Sequence, residues 1–212
     1  MRIVWHGHSC FEIDDGNTTV VIDPHDGKSI GINPPSASAN AVLMTHAHHD
    51  HSAARVIRGI HDDFMEKRGI FDTVGIRVEG FPSFHDEDGG RKFGSNTIYL
   101  FRMDSLSVCH CGDIGTIPPQ EILDKMKNVD ILIVPVGETN TMGITDVLKL
   151  IDLVSPRIII PMHYHMRGLS IPFSSVEKFL GELDYFFDFV GSEMDISKEE
   201  LPQKTECWVF SL

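Results

Sequence analysis

The sequence predicts a layered α/β or α+β domain in which helices cover β-sheets. In the first half of the chain, short apolar runs are joined by turn sequences, which is typical of hairpins. In the second half, buried strands alternate with amphipathic helices, and such helices pack on the face of a sheet. A length of 212 residues favours one domain, residues 1–212, although two small domains would also fit.

The strands of the first half are predicted from apolar runs of four to eight residues. Turns at 14–17 (DDGN) and 104–105 (DS) each join two of them into a hairpin. Residues 52–60 have helical spacing, and we expect a helix to begin near Asp50. Residues 24–40 form a loop of a length that is typical of functional or mobile segments. The predicted strands are 2–5, 10–13, 18–23, 41–45, 74–81, 97–103 and 106–111.

The second half predicts three helices and three strands. Two prolines followed by helix formers indicate a helix at 118–127. The amphipathic run 144–154 and the run 174–183 predict two more helices. The remaining apolar runs, 130–136, 156–163 and 206–212, predict strands.

Composition and charge narrow the class of partner. Hydrophobic residues make up 42% and charged residues 23%, which is ordinary for a globular protein. A formal charge of -13 argues against nucleic acid, because phosphate binding relies on clustered Lys and Arg. The sequence contains no run of about 18 apolar residues, the length that a membrane-spanning helix needs. We therefore expect a small-molecule substrate and leave homo-oligomerisation open.

The four cysteines predict a reduced protein. Cys109 and Cys111 are two residues apart in a predicted strand, too close for an ordinary disulfide. The amino-terminal apolar run is too short for a signal peptide. These observations predict a cytoplasmic protein.

Residues 46–51 (HAHHDH) are the densest group of metal-binding side chains in the chain. His46 and His48 are two apart, so in an extended loop both can face one metal ion. Asp50 and His51 are adjacent and can face a second ion on the same side. Imidazole nitrogen and carboxylate oxygen suit zinc, manganese or iron.

Three further candidates lie at the ends of predicted strands elsewhere in the sequence. His85 follows the strand at 74–81, Asp113 follows the strand at 106–111, and His163 ends the strand at 156–163. Strand ends at one edge of a sheet would bring these residues together. His25, in the loop, and His61, after the predicted helix, are poorer alternatives to His85.

With these residues in place, the sequence resembles the metallo-β-lactamase superfamily, whose signature H-x-H-x-D-H spans residues 46–51. It is most similar to the branch of small metal-dependent hydrolases that resemble ascorbate-phosphate lactonase. The shared segments occur in order along the chain: GHSCF (7–11), IDP (22–24), NP (33–34), HxGD (110–113), TMG (141–143) and PMHY (161–164).

The resemblance implies a four-layer αββα sandwich, with two mixed β-sheets flanked by helices, and a dinuclear site at one edge of the sheets. It implies one ion on His46, His48 and His85 and a second on Asp50, His51 and His163. Asp113 would bridge the two ions. The ions are expected to be Zn²⁺, with Mn²⁺ or Fe²⁺ as alternatives, and His48 favours a hydrolase over the iron-based relatives, which often carry glutamate there.

Such a site predicts hydrolysis by a metal-bridging hydroxide. Asp50 would orient the hydroxide with its free oxygen, and either His110 or His165 would donate a proton to the leaving group. His8 and Asp23 are expected to fix the tautomer and orientation of the ligands by hydrogen bonds.

The predicted function is hydrolysis of a small ester, lactone or phosphoester, with an anionic substrate as one option. Arg167, Arg91 and Lys92 follow predicted ligands and would clamp an anionic group, or they are charges scattered on exposed loops. Two alternatives remain: a metallo-nuclease or phosphodiesterase acting on nucleic acid, and a metal-binding or sensor protein without turnover.

Overall fold

The computed structural model describes residues 1–212, which form two β-sheets that pack face to face. The inner faces share one apolar core: Trp5 of the first sheet lies 5.5 Å from Tyr164, which follows a strand of the second. Phe11 and Phe210 meet edge to face across the same interface at 6.0 Å. This arrangement confirms the predicted sandwich of two mixed sheets, with few helices.

The first sheet has six strands in the order β13-β1-β2-β3-β4-β5. Its strands are β1 (Arg2–Trp5), β2 (Phe11–Asp14), β3 (Thr19–Ile22), β4 (Ala41–Met44), β5 (Asp62–Met65) and β13 (Glu193–Asp195). The hairpin strands pair antiparallel, whereas β3, β4 and β5 run parallel to one another. β2 alternates between buried and partly exposed residues, as expected for a strand with one face on the core.

The second sheet has eight strands in the order β12-β14-β11-β10-β9-β8-β7-β6. Its strands are β6 (Gly69–Thr73), β7 (Ile76–Phe84), β8 (Ser95–Met103), β9 (Leu106–His110), β10 (Ile131–Pro135), β11 (Ile158–Met162), β12 (Phe186–Gly191) and β14 (Glu206–Phe210). Neighbouring strands of this sheet pair antiparallel from β6 to β9. From β9 through β10, β11 and β14 to β12 they pair parallel. β10 and β11 are buried throughout, as parallel strands covered on both faces are.

Three α-helices follow β9: α1 (Gln120–Met126), α2 (Ile144–Val154) and α3 (Val176–Leu180). α2 has the bounds predicted from the sequence, and its buried residues recur at helical spacing. No helix in the structure combines the length and apolarity that a membrane crossing requires. The four cysteines are buried and unpaired, as predicted.

One predicted helix is wrong and two are shorter than predicted, since α1 covers Gln120–Met126 instead of 118–127. In the segment 50–60 only Ala54–Val56 is helical, as a 3₁₀ turn, because Ile57 is already extended and the next residue, Arg58, bridges to Ser38. Long-range pairing therefore overrides the local helical spacing. The helix predicted at 174–183 is limited to α3, which ends at Leu180 and is followed by Gly181.

Candidate metal centre

Four candidate ligands lie just beyond strand ends of both sheets, at one edge of the sandwich. His46 follows β4 after one residue, and His85 follows β7 directly. Asp113 lies three residues past the end of β9, and His163 directly follows β11. All four side chains are buried. The two sheets therefore bring together residues that are up to 117 positions apart in sequence.

The carboxylate of Asp113 lies at the centre of this group. Its Oδ2 is 2.9 Å from Nε2 of His163, 3.1 Å from Nε2 of His85 and 3.2 Å from Nε2 of His51. Nε2 of His46 lies 3.8 Å from the same oxygen. One carboxylate oxygen thus faces four imidazole nitrogens, while its other oxygen, Oδ1, is buried without a hydrogen-bond donor.

A glycine lets Asp113 reach this position. Gly112 has φ +57, and a Cβ there would lie 2.2 Å from Oδ1 of Asn96. The same Asn96 oxygen accepts the backbone N–H of Asp113 at 3.1 Å. A side chain at residue 112 would therefore displace the group that orients Asp113.

His46, His48 and His85 form one cluster, whose nearest ring nitrogens lie within 4.8 Å of one another. The outer nitrogens of two of the rings are held by the protein. Nδ1 of His85 donates to the carbonyl oxygen of Asn140 at 2.7 Å, and Nδ1 of His46 lies 3.0 Å from the Thr45 hydroxyl. This leaves Nε2 of His46 buried with no partner. Unpartnered acceptors in a buried cluster fit a cation.

Asp23 orients the second cluster, which contains His51, His163 and His8. Nδ1 of His51 donates to Oδ2 of Asp23 at 3.0 Å, so that Nε2 of His51 turns towards Asp113. The Thr45 hydroxyl donates to the same Asp23 oxygen at 2.7 Å. Ring nitrogens of His8, His51 and His163 lie within 4.8 Å of one another.

The protonation of the site suits a cation. Burial lowers the pKa of His8 and of His46 to about 3, so both rings are neutral and carry a free lone pair. Burial alone would raise the pKa of Asp113, but His163 and His51 hold it well below the usual value. For His51, burial is outweighed by Asp113 and Asp23, which raise its pKa well above 6.5. His8 and His46 are thus already in the neutral state that binds a metal ion, whereas His51 and His85, whose pKa Asp113 also raises despite burial, would release a proton on binding one.

The clusters open into a cavity of about 380 Å³. Its floor consists of potential ligands and their neighbour His49, and its walls come from loops after β7, β10 and β11. The floor residues are His48, His49, Asp50, His85, Asp113 and His163, and the wall residues are Phe93, Thr139, Asn140, Ile171 and Phe173.

The comparisons with known proteins agree with this geometry. The family model for the β-lactamase superfamily domain matches residues 2–163, which include every candidate ligand. The chain belongs to the β-lactamase superfamily.

Relatives within the superfamily cover most of the chain. UPF0173 metal-dependent hydrolases from Methanopyrus kandleri and Archaeoglobus fulgidus are 27% and 28% identical, over 77% and 78% of this chain and 84% of each relative. A structure from Thermotoga maritima, named for a proposed zinc-dependent hydrolase of the metallo-β-lactamase superfamily, is 27% identical. It covers 99% of both chains with a TM-score of 0.78. The closer similarity to ascorbate-phosphate lactonase stays a prediction.

The structure does not bring either expected proton donor to the cavity of this superfamily member. His110 is fully buried: its Nε2 donates to the carbonyl oxygen of Ser9 at 3.1 Å, and its Nδ1 accepts the N–H of Gly112 at 3.2 Å. Both ring nitrogens are thus engaged in the interior. His165 is exposed and lines a separate groove beside Trp5. This corrects the expectation for both residues.

The three basic residues expected to bind an anion also lie outside the cavity. Arg167 lines a groove with Asn33 on another part of the surface. Arg91 and Lys92 are exposed, and both face Asp88, at 3.7 and 2.9 Å. No lysine or arginine lines the cavity of the candidate metal centre. The expected anion clamp is therefore not assembled.

The structure also shows where the alternative histidine ligands lie. His85 lies with His46, whereas Nε2 of His25 donates to the carbonyl oxygen of His6 and His61 is exposed. His49 and all five wall residues of the cavity were not among the residues predicted from the sequence. His49 could have been noticed within the histidine-rich motif, but nothing local marks the walls, which come from distant loops.

Proposed function

We propose that this chain is a metal-dependent hydrolase that uses two divalent metal ions to cleave a small, uncharged ester or lactone. The observation that carries the proposal is the position of Asp113, whose Oδ2 faces imidazoles of both clusters within 3.8 Å. A single oxygen between two groups of nitrogen donors is the arrangement that a bridging carboxylate requires. The names of the relatives, metal-dependent hydrolases, support the same class of reaction.

The residues that would hold the ions follow from the two clusters. The first ion would bind the three nitrogens of one cluster, the second would bind residues of the other, and Asp113 would contact both. The proposed ligands are His46, His48 and His85 for the first ion and Asp50, His51 and His163 for the second. Nitrogen and oxygen donors fit zinc, with manganese or iron as alternatives. When bound, such ions lower the pKa of a water from about 15.7 towards about 7 and polarise the substrate carbonyl.

Asp50 has the position to orient the attacking water. Its side chain is 12% exposed and lines the cavity. Its Oδ2 is engaged by His8, whereas Oδ1 has only the distant Nδ1 of His49, at 3.9 Å. Burial would raise the pKa of Asp50, but His8 and His51 lower it, so the carboxylate is ionised and can accept a proton from water at Oδ1.

The walls of the cavity favour an uncharged substrate with an apolar group. Phe93, Ile171 and Phe173 supply apolar surface, and no cationic side chain stands among the lining residues. Asn140 also lines the cavity and can offer its side-chain amide to a substrate oxygen. An anionic substrate or a nucleic acid would have no cationic partner from the protein here.

A substrate panel tests the proposal. Protein loaded with Zn²⁺ or Mn²⁺ is assayed on neutral aryl esters, lactones, a phosphomonoester and a phosphodiester, with Asp113→Asn as the inactive control. We expect turnover of the neutral esters or lactones, and loss of that turnover in the variant. Faster hydrolysis of the phosphodiester would favour the nuclease alternative, and no turnover of any substrate by the metal-loaded protein would favour a sensor.

A further inference from the structure

His8 lies inside the candidate metal centre, although the six ligands and bridging aspartate proposed above do not include it. Its side chain is fully buried, and its Nε2 lies 3.1 Å from Nε2 of His51. The same nitrogen lies 3.2 Å from Oδ2 of Asp50. Together with the ring nitrogen of His163, these atoms converge on one small volume.

The separations match the edges of a coordination shell. Zinc–nitrogen bonds of about 2.0–2.1 Å place neighbouring ligands roughly 3.3 Å apart in a tetrahedron and roughly 2.9 Å apart in an octahedron. The distances from Nε2 of His8 to His51 and Asp50, 3.1 and 3.2 Å, lie between these two values. His8 therefore occupies the position of a ligand relative to two proposed ligands of the second ion.

The position of the proton on the neutral His8 ring distinguishes two roles, a hydrogen-bond donor that positions Asp50 and a ligand of the second ion. If His8 only positioned Asp50, its Nε2 would carry the proton and donate it to Oδ2. Yet both atoms within 3.2 Å of this nitrogen, on His51 and Asp50, would bind the second ion, so an N–H there would point towards a positive charge. A neutral ring avoids this by placing its proton on Nδ1 and turning the Nε2 lone pair to the ion.

We infer that His8 is a direct ligand of the second ion, alongside Asp50, His51 and His163. This inference rests on the proposed function, because it concerns the second of the two proposed ions. The second ion would then have three imidazole ligands, as the first does, and Asp113 between them.

His163 shows the same pattern as His8. Its Nε2 faces Asp113 at 2.9 Å, while its Nδ1 is buried without a hydrogen-bond partner. Nδ1 of His8 is likewise buried without a partner. The rings lie 4.7 Å apart, and the ring of Phe173 stacks on His8 with an interplanar angle of 7°. In both histidines Nε2 faces potential ligands of the second cluster, and Nδ1 has no protein partner.

The backbone fixes His8 in this orientation. Its φ is +55, in the left-handed region that non-glycine residues rarely adopt. Its carbonyl oxygen accepts the indole N–H of Trp5 at 3.1 Å and the backbone N–H of His163 at 3.3 Å. Such a conformation persists where surrounding contacts determine it, and here they aim the ring at the second cluster.

Nuclear magnetic resonance can read the tautomer of His8 directly. Protein with ¹⁵N-labelled histidine is titrated with Zn²⁺, and long-range proton–nitrogen correlations of the ring carbons report both nitrogens. The His8 signals are those missing from His8→Gln. We expect the second equivalent of zinc to leave His8 protonated on Nδ1 and to shift its Nε2 to a ligated position. A zinc-loaded His8 protonated on Nε2 would overturn the inference.

Zinc affinity provides an independent reading. In chelator competition, His8→Gln and His8→Ala should weaken binding of the second zinc ion tenfold or more and leave the first unchanged. His25→Gln is the matched control, since His25 is a buried histidine whose Nε2 donates to the backbone carbonyl of His6 and not to a proposed ligand. Equal affinity for the second ion in wild type and both His8 variants would overturn the inference.

A failure of the proposed function would look different. Two zinc ions would bind and the His8 tautomer would be as expected, but no substrate would be hydrolysed. Uptake of a single ion would overturn both.

Discussion

The buried carboxylate of Asp23 accepts the Nδ1–H of His51 at 3.0 Å and thereby turns the other nitrogen of that ring towards Asp113. Asp23 has φ +48 and uses both oxygens, because its Oδ1 also accepts the N–H of Thr45 at 2.7 Å. The loop after β3 thus orients a histidine of the signature motif, although Asp23 does not line the cavity.

Asp23→Asn tests this relationship. The amide can present N–H instead of oxygen to His51, which would favour the opposite ring tautomer. We expect zinc affinity to fall 10–100-fold, as is typical for loss of a partner that orients a ligand. Chelator competition measures it, with Asp188→Asn on the exposed strand β12 as control. Unchanged affinity in Asp23→Asn would show that His51 needs no such partner.

Asp113→Asn tests the dinuclear site. The asparagine keeps the shape of the side chain but removes the anionic oxygen that faces four imidazoles. We expect elemental analysis to give two zinc ions per wild-type chain and at most one in the variant, with hydrolysis lost. Two ions per chain in both proteins would contradict the bridging role of Asp113.

Metal removal should lower thermal stability. The ions would bind only the folded state, in which six imidazoles and two carboxylates are brought together, so each bound ion adds stability that grows with its affinity. At a free zinc concentration about 100 times Kd, one site contributes about 2.7 kcal/mol. Calorimetry of protein with chelator and with zinc measures the change in Tm. An identical Tm would argue that the clusters bind no ion.

The fold could be predicted in its centre but not at its borders. The structure contains four strands that the sequence analysis missed, and they are the edge strands of the two sheets: β5 and β13 of the first, β6 and β12 of the second. Edge strands are only partly buried, so their sequences need not alternate; every residue of β12 except one is exposed. Pairing with a neighbour, not local pattern, makes them strands.

The site could be predicted where ligands follow strands, and not where side chains were inferred from nearness in sequence. His110 precedes Asp113 by three residues, yet it belongs to β9 and points to Ser9 in the interior. Arg167 follows His163 by four residues, but the chain turns away and carries it to another groove. Neighbours in sequence diverge at a strand end because the loop changes direction there.

Asp130 should make folding stability depend on acid pH. Its carboxylate accepts the N–H and the hydroxyl of Ser107, both at 2.8 Å, and pairs with Lys198 at 2.6 Å. Burial opposes the charge, but Lys198 and Ser107 lower the pKa of Asp130 below 3.8. A lowered folded-state pKa contributes stability that is present above the unfolded pKa of about 3.9 and is lost as pH falls through the folded value.

We therefore expect Asp130→Asn to reduce the free energy of unfolding by about 1.5–3 kcal/mol at pH 7, the range for hydrogen bonds to a charged group. The difference between wild type and variant should shrink below about pH 4. Urea unfolding at several pH values measures it, with the exposed Asp188→Asn as control. A difference that stays constant down to pH 2.5 would assign the loss to packing rather than to the charge.

Substitutions at Phe173, in the wall of the cavity, and at Arg167, on the nearby surface, should have different effects on hydrolysis. Phe173 lines the cavity and lies 4.1 Å from the ring of His163, whereas Arg167 lines a different groove. Phe173→Ala should raise KM roughly tenfold for an ester with a large apolar acyl group. Burial of an apolar group of this size contributes about 1.5–3 kcal/mol, and the variant would lose only part of that binding energy. An acetate ester of the same alcohol has a small acyl group, so its KM should change less.

Arg167→Ala is the matched control. Its kcat/KM should stay within about twofold of wild type for neutral and anionic substrates alike, since a side chain outside the cavity makes no charged hydrogen bond to the substrate. A selective loss of the anionic substrate in Arg167→Ala would restore the anion clamp and require the loop after β11 to move over the cavity when substrate binds.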